Sequence, residues 1–158
     1  MQASGGIRSV EDARTLLEAG ASRVIVGTAA FATEDALTRF ASALGDALVV
    51  AIDCRDGKIA VRGWESAGLD VDDALDRCVA AGVVRLHCTA IDRDGTLGGP
   101  DLALLAQVVE RSGLHVVAAG GISSEGDVDA VAEVGCEGAV VGRALLEGRV
   151  PLAALDRR

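Results

Sequence analysis

Two glycine-rich turns are the first places in this chain where the residue types suit chemistry. Gly5 and Gly6 lie shortly before a serine that can cap a helix, and Gly120 and Gly121 repeat the pattern 115 residues later. A glycine pair lets the backbone turn tightly and approach a ligand closely. The N–H groups of such a turn and the positive end of the following helix favour an anion. The sequence therefore predicts a phosphate-binding site at each turn.

The two turns are parts of an internal repeat. Residues 5–31 match residues 120–146 without a gap, and in each copy a helical segment leads to an apolar strand that ends in a further glycine. One such turn alone is ordinary turn chemistry, whereas two copies indicate a ligand with a phosphate at each end. The residues predicted to hold the two phosphates are Gly5, Gly6, Arg8, Gly27 and Thr28 in the first copy and Gly120, Gly121, Ser123, Gly142 and Arg143 in the second.

Asp53 is a carboxylate whose place in the chain suits acid–base chemistry. It follows the apolar run 48–52, which predicts a buried strand. A carboxylate at the end of such a strand can transfer a proton in a reaction. It can equally accept hydrogen bonds from neighbouring backbone amides, and the residues alone leave both roles open.

The composition excludes several classes of partner. A net charge of −9 and a pI near 4.6 argue against binding to nucleic acid or to an acidic membrane, and 2% aromatic content offers no platform for base stacking. The longest apolar runs have strand length, so we expect no leader or transmembrane segment and predict a cytoplasmic protein. The cysteines lack metal-ligand spacing, so we predict no metal and expect reduced core residues at Cys54, Cys78, Cys88 and Cys136.

Short apolar strands alternate with helical segments along the chain. The pattern predicts strands at 1–4, 23–26, 48–52, 84–91, 115–119 and 139–141. It predicts helices at 10–19, 33–44, 70–81, 100–112 and 124–134, a hairpin arm at 58–61, and helical turns near Ala144 and from Pro151. Such alternation is typical of an α/β fold with a parallel sheet. A (β/α)8 barrel and an open doubly wound sheet both fit, and the repeat favours the barrel because units four positions apart lie on opposite sides of its ring.

Five segments carry a resemblance to a known family: Gln2-Ala3-Ser4-Gly5-Gly6-Ile7-Arg8, Ala51-Ile52-Asp53, Arg62-Gly63-Trp64, Asp92-Arg93-Asp94-Gly95-Thr96-Leu97 and Gly142-Arg143-Ala144-Leu145. They resemble HisA, the isomerase family of histidine biosynthesis. The Gly-Trp pair separates this family from the related cyclase family HisF. Ser4 and Arg62 also resemble PriA, the actinobacterial form that adds phosphoribosylanthranilate isomerisation. The resemblance implies a partial (β/α)8 TIM barrel of the HisA/HisF type as a single domain, 1–158.

The resemblance implies an Amadori rearrangement, in which an aminoaldose ribosyl bisphosphate is opened and isomerised to the aminoketose without a metal or cofactor. It gives Asp53 the role of general acid. It places the general base on the family's first strand, about 62 residues before Met1 by the repeat offset. Two acid–base groups of this kind are sufficient for the reaction.

The same resemblance assigns the substrate-binding residues. They are Thr89, Asp94, Arg62 and Trp64, with the tryptophan stacking on the substrate when a lid closes. Simpler roles remain open, because Asp94 also suits an ordinary turn and Trp64 a core position. Ala90 stands where family members usually carry an aspartate. His87 and His115 lie in strand patterns and are expected to be structural.

Matched to the eight βα units of the family, the chain is expected to begin inside the third strand and to hold units 3–8, about six of the eight. Unpaired sheet edges and an apolar barrel interior favour association. We therefore expect a homo-oligomer in which the third and eighth strands of different chains pair. Two functions stay open at this point: an isomerase that takes a small-molecule bisphosphate, and a catalytically inactive barrel fragment that binds phosphates and oligomerises.

Overall fold

A parallel β-sheet is the centre of the computed structural model, which describes residues 1–61 and 66–155. The strands are β1 (Gln2–Ser4), β2 (Arg23–Val26), β3 (Leu48–Arg55), β4 (Lys58–Val61), β5 (Ser66–Asp70), β6 (Arg85–Ala90), β7 (His115–Ala119) and β8 (Gly138–Ala139). The helices are α1 (Val10–Glu18), α2 (Ala36–Leu44), α3 (Val71–Ala80), α4 (Leu102–Ser112), α5 (Glu125–Glu133), α6 (Arg143–Leu146) and α7 (Leu152–Leu155).

Six strands follow one another in the order β1-β2-β3-β6-β7-β8, and each neighbouring pair is parallel. Helices connect these strands, and the sheet curls into an open barrel. The predicted α/β class and the partial (β/α)8 barrel are therefore confirmed. Among the described residues, no helix is both long and apolar enough to cross a membrane.

A hairpin leaves the sheet at the end of β3. Strand β4 pairs antiparallel with β3 and with β5, and the register shifts between Lys58 and Ala60. The arm at 58–61 agrees with the sequence prediction, whereas β5 was missed because its small residues carry no apolar alternation. Arg62 and Trp64, two predicted substrate-binding residues, lie outside the described residues.

Strand residues on the two faces of the sheet differ in burial. On β3 and β6, Val50, Ile52 and Cys88 are fully buried in the core beneath the helices. Ala51 and His87 are half-buried on the opposite face, where they line a cavity. Because side chains alternate along a strand, every second residue of β3 and β6 faces the cavity.

Several element boundaries differ from the sequence predictions; helix α2, for example, begins at Ala36 rather than at residue 33. Helix α4 begins at Leu102 rather than at Pro100, because Asp101 caps it by accepting a hydrogen bond from the Leu104 N–H at 3.1 Å. Strand β3 runs three residues beyond the predicted end, so Asp53 lies within the strand. Strand β8 is shorter and begins one residue earlier than predicted.

A cluster of charged side chains joins the starts of β6 and β7. Arg85, 11% exposed in its side chain, donates hydrogen bonds through Nε and Nη2 to the Glu137 carboxylate, which is 26% exposed. His115 Nδ1 lies 3.4 Å from the same carboxylate. The hydrogen bonds from Arg85 outweigh partial burial and hold the pKa of Glu137 below its usual range. This cluster ties the strands together at the end opposite the cavity described below.

Glu137→Gln should lower the free energy of unfolding at pH 7 by about 1.5–3 kcal/mol, because hydrogen bonds to a charged group contribute about that much. The pKa of Glu137 is lower in the folded than in the unfolded chain. Its contribution is therefore complete above the unfolded value and is lost as the pH falls through the folded one. Denaturant unfolding at pH 7 and near pH 3 measures both effects. Glu133→Gln, at an exposed position of α5, is the matched control; equal stability of the two variants would contradict the prediction.

Candidate active site

A cavity of about 830 Å³ opens at the carboxyl ends of β1, β2, β3 and β6. Active sites of barrel enzymes form at this end of the strands because the connecting loops meet there. The polar and glycine residues in its wall are Ser4 on β1, Gly5, Gly6 and Arg8 after it, Gly27 and Thr28 after β2, Asp53 on β3, and His87 and Thr89 on β6. The structure thus brings every predicted phosphate-binding residue of the first repeat copy to one cavity.

A second, smaller cavity of about 100 Å³ lies at the carboxyl ends of β7 and β8. Its wall includes Gly120, Gly121, Gly142 and Arg143, which are the corresponding residues of the second repeat copy. Ser123 is not part of this wall, since its N–H and its hydroxyl both donate to Asp127 Oδ2 at 2.7 Å. Ser123 therefore closes the helix start and does not face the cavity.

Helix caps fix both glycine turns. Asp12 Oδ2 accepts the N–H groups of Arg8 and Ser9 at 2.9 Å each, and the Ser9 hydroxyl accepts the Asp12 N–H. Ser9 and Asp12 therefore form a capping box, and Ser124 with Asp127 forms the same box in the second copy.

Hydrogen bonds lower the pKa of both capping carboxylates, Asp12 and Asp127. Hydrogen bonding, first of all from the Arg8 N–H, lowers the pKa of Asp12. Burial opposes the change at Asp127, but hydrogen bonds from Ser123 and Ser124 outweigh it and lower its pKa too. The amides of the two residues that precede α1, and of the two that precede α5, are thus occupied by carboxylates of this chain. The glycine amides of the two turns are not among them.

Asp53 and Thr89 lie side by side between the two glycine turns. They are direct partners in the parallel register of β3 and β6, and both line the large cavity. Asp53 is half-buried and Thr89 is 6% exposed. In the strand order, β3 and β6 are the two central strands, with β1 and β2 on one side and β7 and β8 on the other.

Asp94 is separated from Asp53. It is an exposed residue of the loop after β6, and it lines the small cavity with Gly120 and Arg143. Arg143 reaches the same loop, since its Nη1 donates to the Gly95 carbonyl at 2.9 Å while its Nε donates to Glu147 at 2.6 Å. The predicted substrate-binding pair of Thr89 and Asp94 is therefore divided between the two cavities.

His87 is a cavity residue that the sequence interpretation took to be structural. Its side chain lines the large cavity with Asp53 and Thr89. The signal that would have found it is the strand period, because a residue two positions before Thr89 faces the same way. His115 lies apart from the cavity, at the start of β7 beside Glu137.

The remaining reactive side chains are not placed for chemistry in these cavities. All four cysteines are free and buried, as predicted, and burial raises the pKa of the Cys78 thiol to about 12 and that of Cys136 to about 11. Ala90 faces a separate cavity of about 390 Å³ that it shares with Arg55 and Asp92, whose side chains form an ion pair at 2.9 Å. Within residues 1–61 and 66–155, no group of three or more His, Cys, Asp or Glu residues is arranged to hold a metal ion.

Comparison with known proteins decides the family of this chain. The family model described as "Histidine biosynthesis protein" matches residues 1–151. The chain belongs to this histidine biosynthesis family. The family includes isomerases of the HisA type, and the partial barrel is consistent with that type.

Three relatives illustrate the similarity. All are named 1-(5-phosphoribosyl)-5-((5-phosphoribosylamino)methylideneamino)imidazole-4-carboxamide isomerase. The protein of Roseiflexus castenholzii is 43% identical over 153 residues, which are 96% of this chain and 65% of that protein. That of Desulforudis audaxviator is 41% identical over 165 residues, covering 100% and 63%, and that of Acidothermus cellulolyticus is 42% identical over 151 residues, covering 94% and 63%. The chain therefore spans somewhat less than two thirds of the length of these relatives.

The two glycine turns differ in what surrounds them. A Cβ at Gly121 would lie 2.2 Å from the Gly99 carbonyl oxygen, and the Gly99 N–H donates to the Gly121 carbonyl at 3.0 Å. A Cβ at Gly6 would meet nothing within 4 Å, although both glycines have positive φ, at +82° and +68°. The loop after β6 thus packs directly on the second turn, and the first turn is open.

Gly121→Ala should therefore destabilise the fold much more than Gly6→Ala. Positive φ costs an alanine about 1–2 kcal/mol at either position. At Gly121 the clash with backbone adds about 1–3 kcal/mol, because the loop must shift. Thermal or denaturant unfolding of the two variants measures the difference. Equal losses of stability would show that the loop after β6 does not constrain the second turn.

Proposed function

We propose that this chain catalyses the aldose–ketose isomerisation that gives its relatives their name, a step of histidine biosynthesis. The name describes a substrate with two phosphoribosyl groups. The observation that supports the proposal is the arrangement of the two glycine turns at either end of the six-strand sheet, with Asp53 and Thr89 on the strands between them. A ligand with a phosphoribosyl group at each end can thus place the ribose that reacts over β3 and β6.

Local groups must hold the two phosphates, because the chain as a whole carries a charge of −9. Backbone amides of glycine turns favour anions without adding a mobile charge. Arg8 lines the large cavity and Arg143 lines the small one, so each proposed phosphate site has one guanidinium nearby. Arg143 also holds the loop after β6 in place by donating a hydrogen bond to the Gly95 carbonyl.

Asp53 is the proposed general acid. It gives a proton to the ring oxygen of the aminoaldose ribose as the bond between that oxygen and C1 breaks, and the nitrogen on C1 forms the double bond. Removal of a proton from C2 then yields the enol, and transfer of the enol proton to C1 yields the aminoketose. The Thr89 hydroxyl, beside Asp53 in the register, is placed to orient a ribose hydroxyl. The steps are proton transfers and the opening of one C–O bond within the substrate, so the proposed reaction calls for no cofactor.

Asp53→Asn should reduce kcat by about 10²–10⁴-fold, the usual contribution of a positioned acid or base. KM should change little, because the phosphate sites are untouched. Steady-state turnover of the purified aminoaldose bisphosphate measures both constants. Asp56→Asn is the matched control, since Asp56 is exposed in the turn after β3 and lines, with Arg55, the separate cavity of about 390 Å³.

Turnover that survives in Asp53→Asn would contradict the assigned acid. Folded wild-type chain that binds inorganic phosphate without turnover would contradict the isomerase and favour the inactive, phosphate-binding alternative. Phosphoribosylanthranilate belongs in the same assay as a second substrate. Ser4, one of the residues that resemble the dual-function form, lines the large cavity, and we propose that this compound is also accepted. Absence of its turnover would restrict the chain to the first substrate.

We also propose that the 158-residue chain associates with copies of itself. Strands β1 and β8 are the end strands of the described sheet, and such edges favour pairing with another chain. We expect sedimentation or light scattering of the purified chain to give a dimer or a larger oligomer. A monodisperse monomer would contradict this.

We also propose that the protein is cytoplasmic, because thiols such as those of the four buried cysteines stay reduced in that compartment.

A further inference from the structure

A side chain outside the loop after β6 ties the middle of that loop, residues 94–98, to the rest of the barrel. Arg143 Nη1 donates to the Gly95 carbonyl at 2.9 Å. Among the described residues, the other hydrogen bonds of 94–98 stay within the loop. The far end of the loop is held differently, since the Gly99 N–H donates to the Gly121 carbonyl at 3.0 Å. The middle of the loop therefore depends on Arg143, whereas its far end is held by backbone.

Arg143 also lies in the wall of the small cavity, together with Asp94, Gly120 and Gly142. Its Nε donates to Glu147 Oε1 at 2.6 Å, so the bonds of Nε and Nη1 together set the plane of the guanidinium. A guanidinium has five N–H donors, and three remain beyond these two bonds. Arg143 has no further hydrogen bond to the described residues. The remaining donors are therefore available to an anion in the cavity.

The charges in the wall of the small cavity make Arg143 important for such an anion. Asp94 and Arg143 are the charged residues among those of the described chain that line it. The Asp94 carboxylate disfavours a phosphate, since like charges in one site repel each other. Arginine forms strong, charge-assisted hydrogen bonds with phosphate. A phosphate in this cavity is thus held beside Asp94 by the guanidinium.

We infer that Arg143 is a positioning residue of the isomerisation proposed above, an inference that rests on that proposed function. A phosphate in the small cavity accepts hydrogen bonds from the remaining N–H groups of Arg143, while Nη1 keeps the Gly95 carbonyl. The phosphate fixes the guanidinium, and the guanidinium fixes the part of the loop that carries Asp94. The loop continues directly from β6, which carries Thr89, so its position affects the substrate above that strand. A small misplacement of a bound substrate is enough to slow its reaction.

Lysine and methionine at position 143 separate charge from geometry. A lysine keeps the positive charge, but its ammonium lacks the planar fork that joins two acceptors. We expect Arg143→Lys to lower kcat for the aminoaldose bisphosphate about tenfold, the effect of one lost hydrogen bond, and to change KM less than about threefold. Arg143→Met should also raise KM about tenfold or more, because it removes the charged hydrogen bonds to the phosphate.

Arg149 supplies the matched controls. Its Nε donates to the other carboxylate oxygen of Glu147 at 3.2 Å, and it is not among the residues that line the small cavity. We expect Arg149→Lys and Arg149→Met to leave kcat and KM within about twofold of the wild-type values, since an exposed ion pair contributes little.

Hydrogen exchange of the loop tests the link without turnover. The amides of Asp94, Thr96 and Gly98 donate to acceptors within the loop, so their exchange, followed by NMR, reports its opening. With inorganic phosphate as the probe, we expect these amides to exchange about fivefold more slowly or better in the wild-type chain. Arg149→Met should respond in the same way, and Arg143→Lys and Arg143→Met should not respond. The amides of β3 are the internal reference for global stability.

The possible results separate the two proposals. Wild-type kcat and wild-type loop protection in Arg143→Lys would overturn the inference, because charge alone would then be sufficient. A wild-type loop whose exchange does not respond to phosphate would overturn it as well. Equal losses in the Arg143 and Arg149 variants would assign the effect to Glu147 instead. A folded wild-type chain without turnover, whose loop is protected by phosphate only when Arg143 is present, would contradict the isomerase and leave Arg143 as the link between phosphate and loop.

Discussion

Five consecutive backbone pairs join β3 to β6, from Val50 with Leu86 to Cys54 with Ala90. This pairing sets the geometry of the whole cavity, because it brings Asp53 beside Thr89 and fixes the position of His87 one layer below. A register slip of one residue would turn all of these side chains toward the helices and would bring the cysteines into the cavity. The strength of the pairing comes from the other face, where apolar residues such as Ile52 and Leu86 are completely buried.

The internal repeat gives the molecule two similar glycine turns that differ in the residues packed against them. In both, a serine and an aspartate close the start of a helix in the same way. The second turn also has the loop after β6 packed against its glycines, and Arg143 anchors that loop at Gly95. The first turn borders the large cavity without such a cover. Two similar sequences therefore form one glycine turn that is covered by a loop and another that is open to the large cavity.

Those parts of the arrangement that depend on local residue patterns could be predicted from the sequence. The bounds of β2 and β7 were predicted as observed, since each is a continuous apolar run between polar residues. The glycine turns were recognised because their positive φ suits glycine and because the pattern occurs twice. The helix start at Pro100 was wrong, because the capping side chain of Asp101 competes with the preference of proline for a first helical position.

Other features depend on contacts that a single sequence does not display. Whether His87 faces the core or the cavity depends on which face of β6 the helices cover. The place of Ser123 depends on a hydrogen bond to a carboxylate one turn along the helix. The separation of Asp94 from Thr89 follows from the path of the loop after β6, which no local pattern determines.

The helix caps have a consequence for ligand binding. Because Asp12 and Asp127 accept hydrogen bonds from the two amides just before their helices, the glycine turns keep their shape without an anion. The conformational entropy of ordering these turns is therefore lost when the chain folds and not when a ligand arrives. The protein's own carboxylates therefore preorganise the backbone around both glycine turns before any ligand arrives.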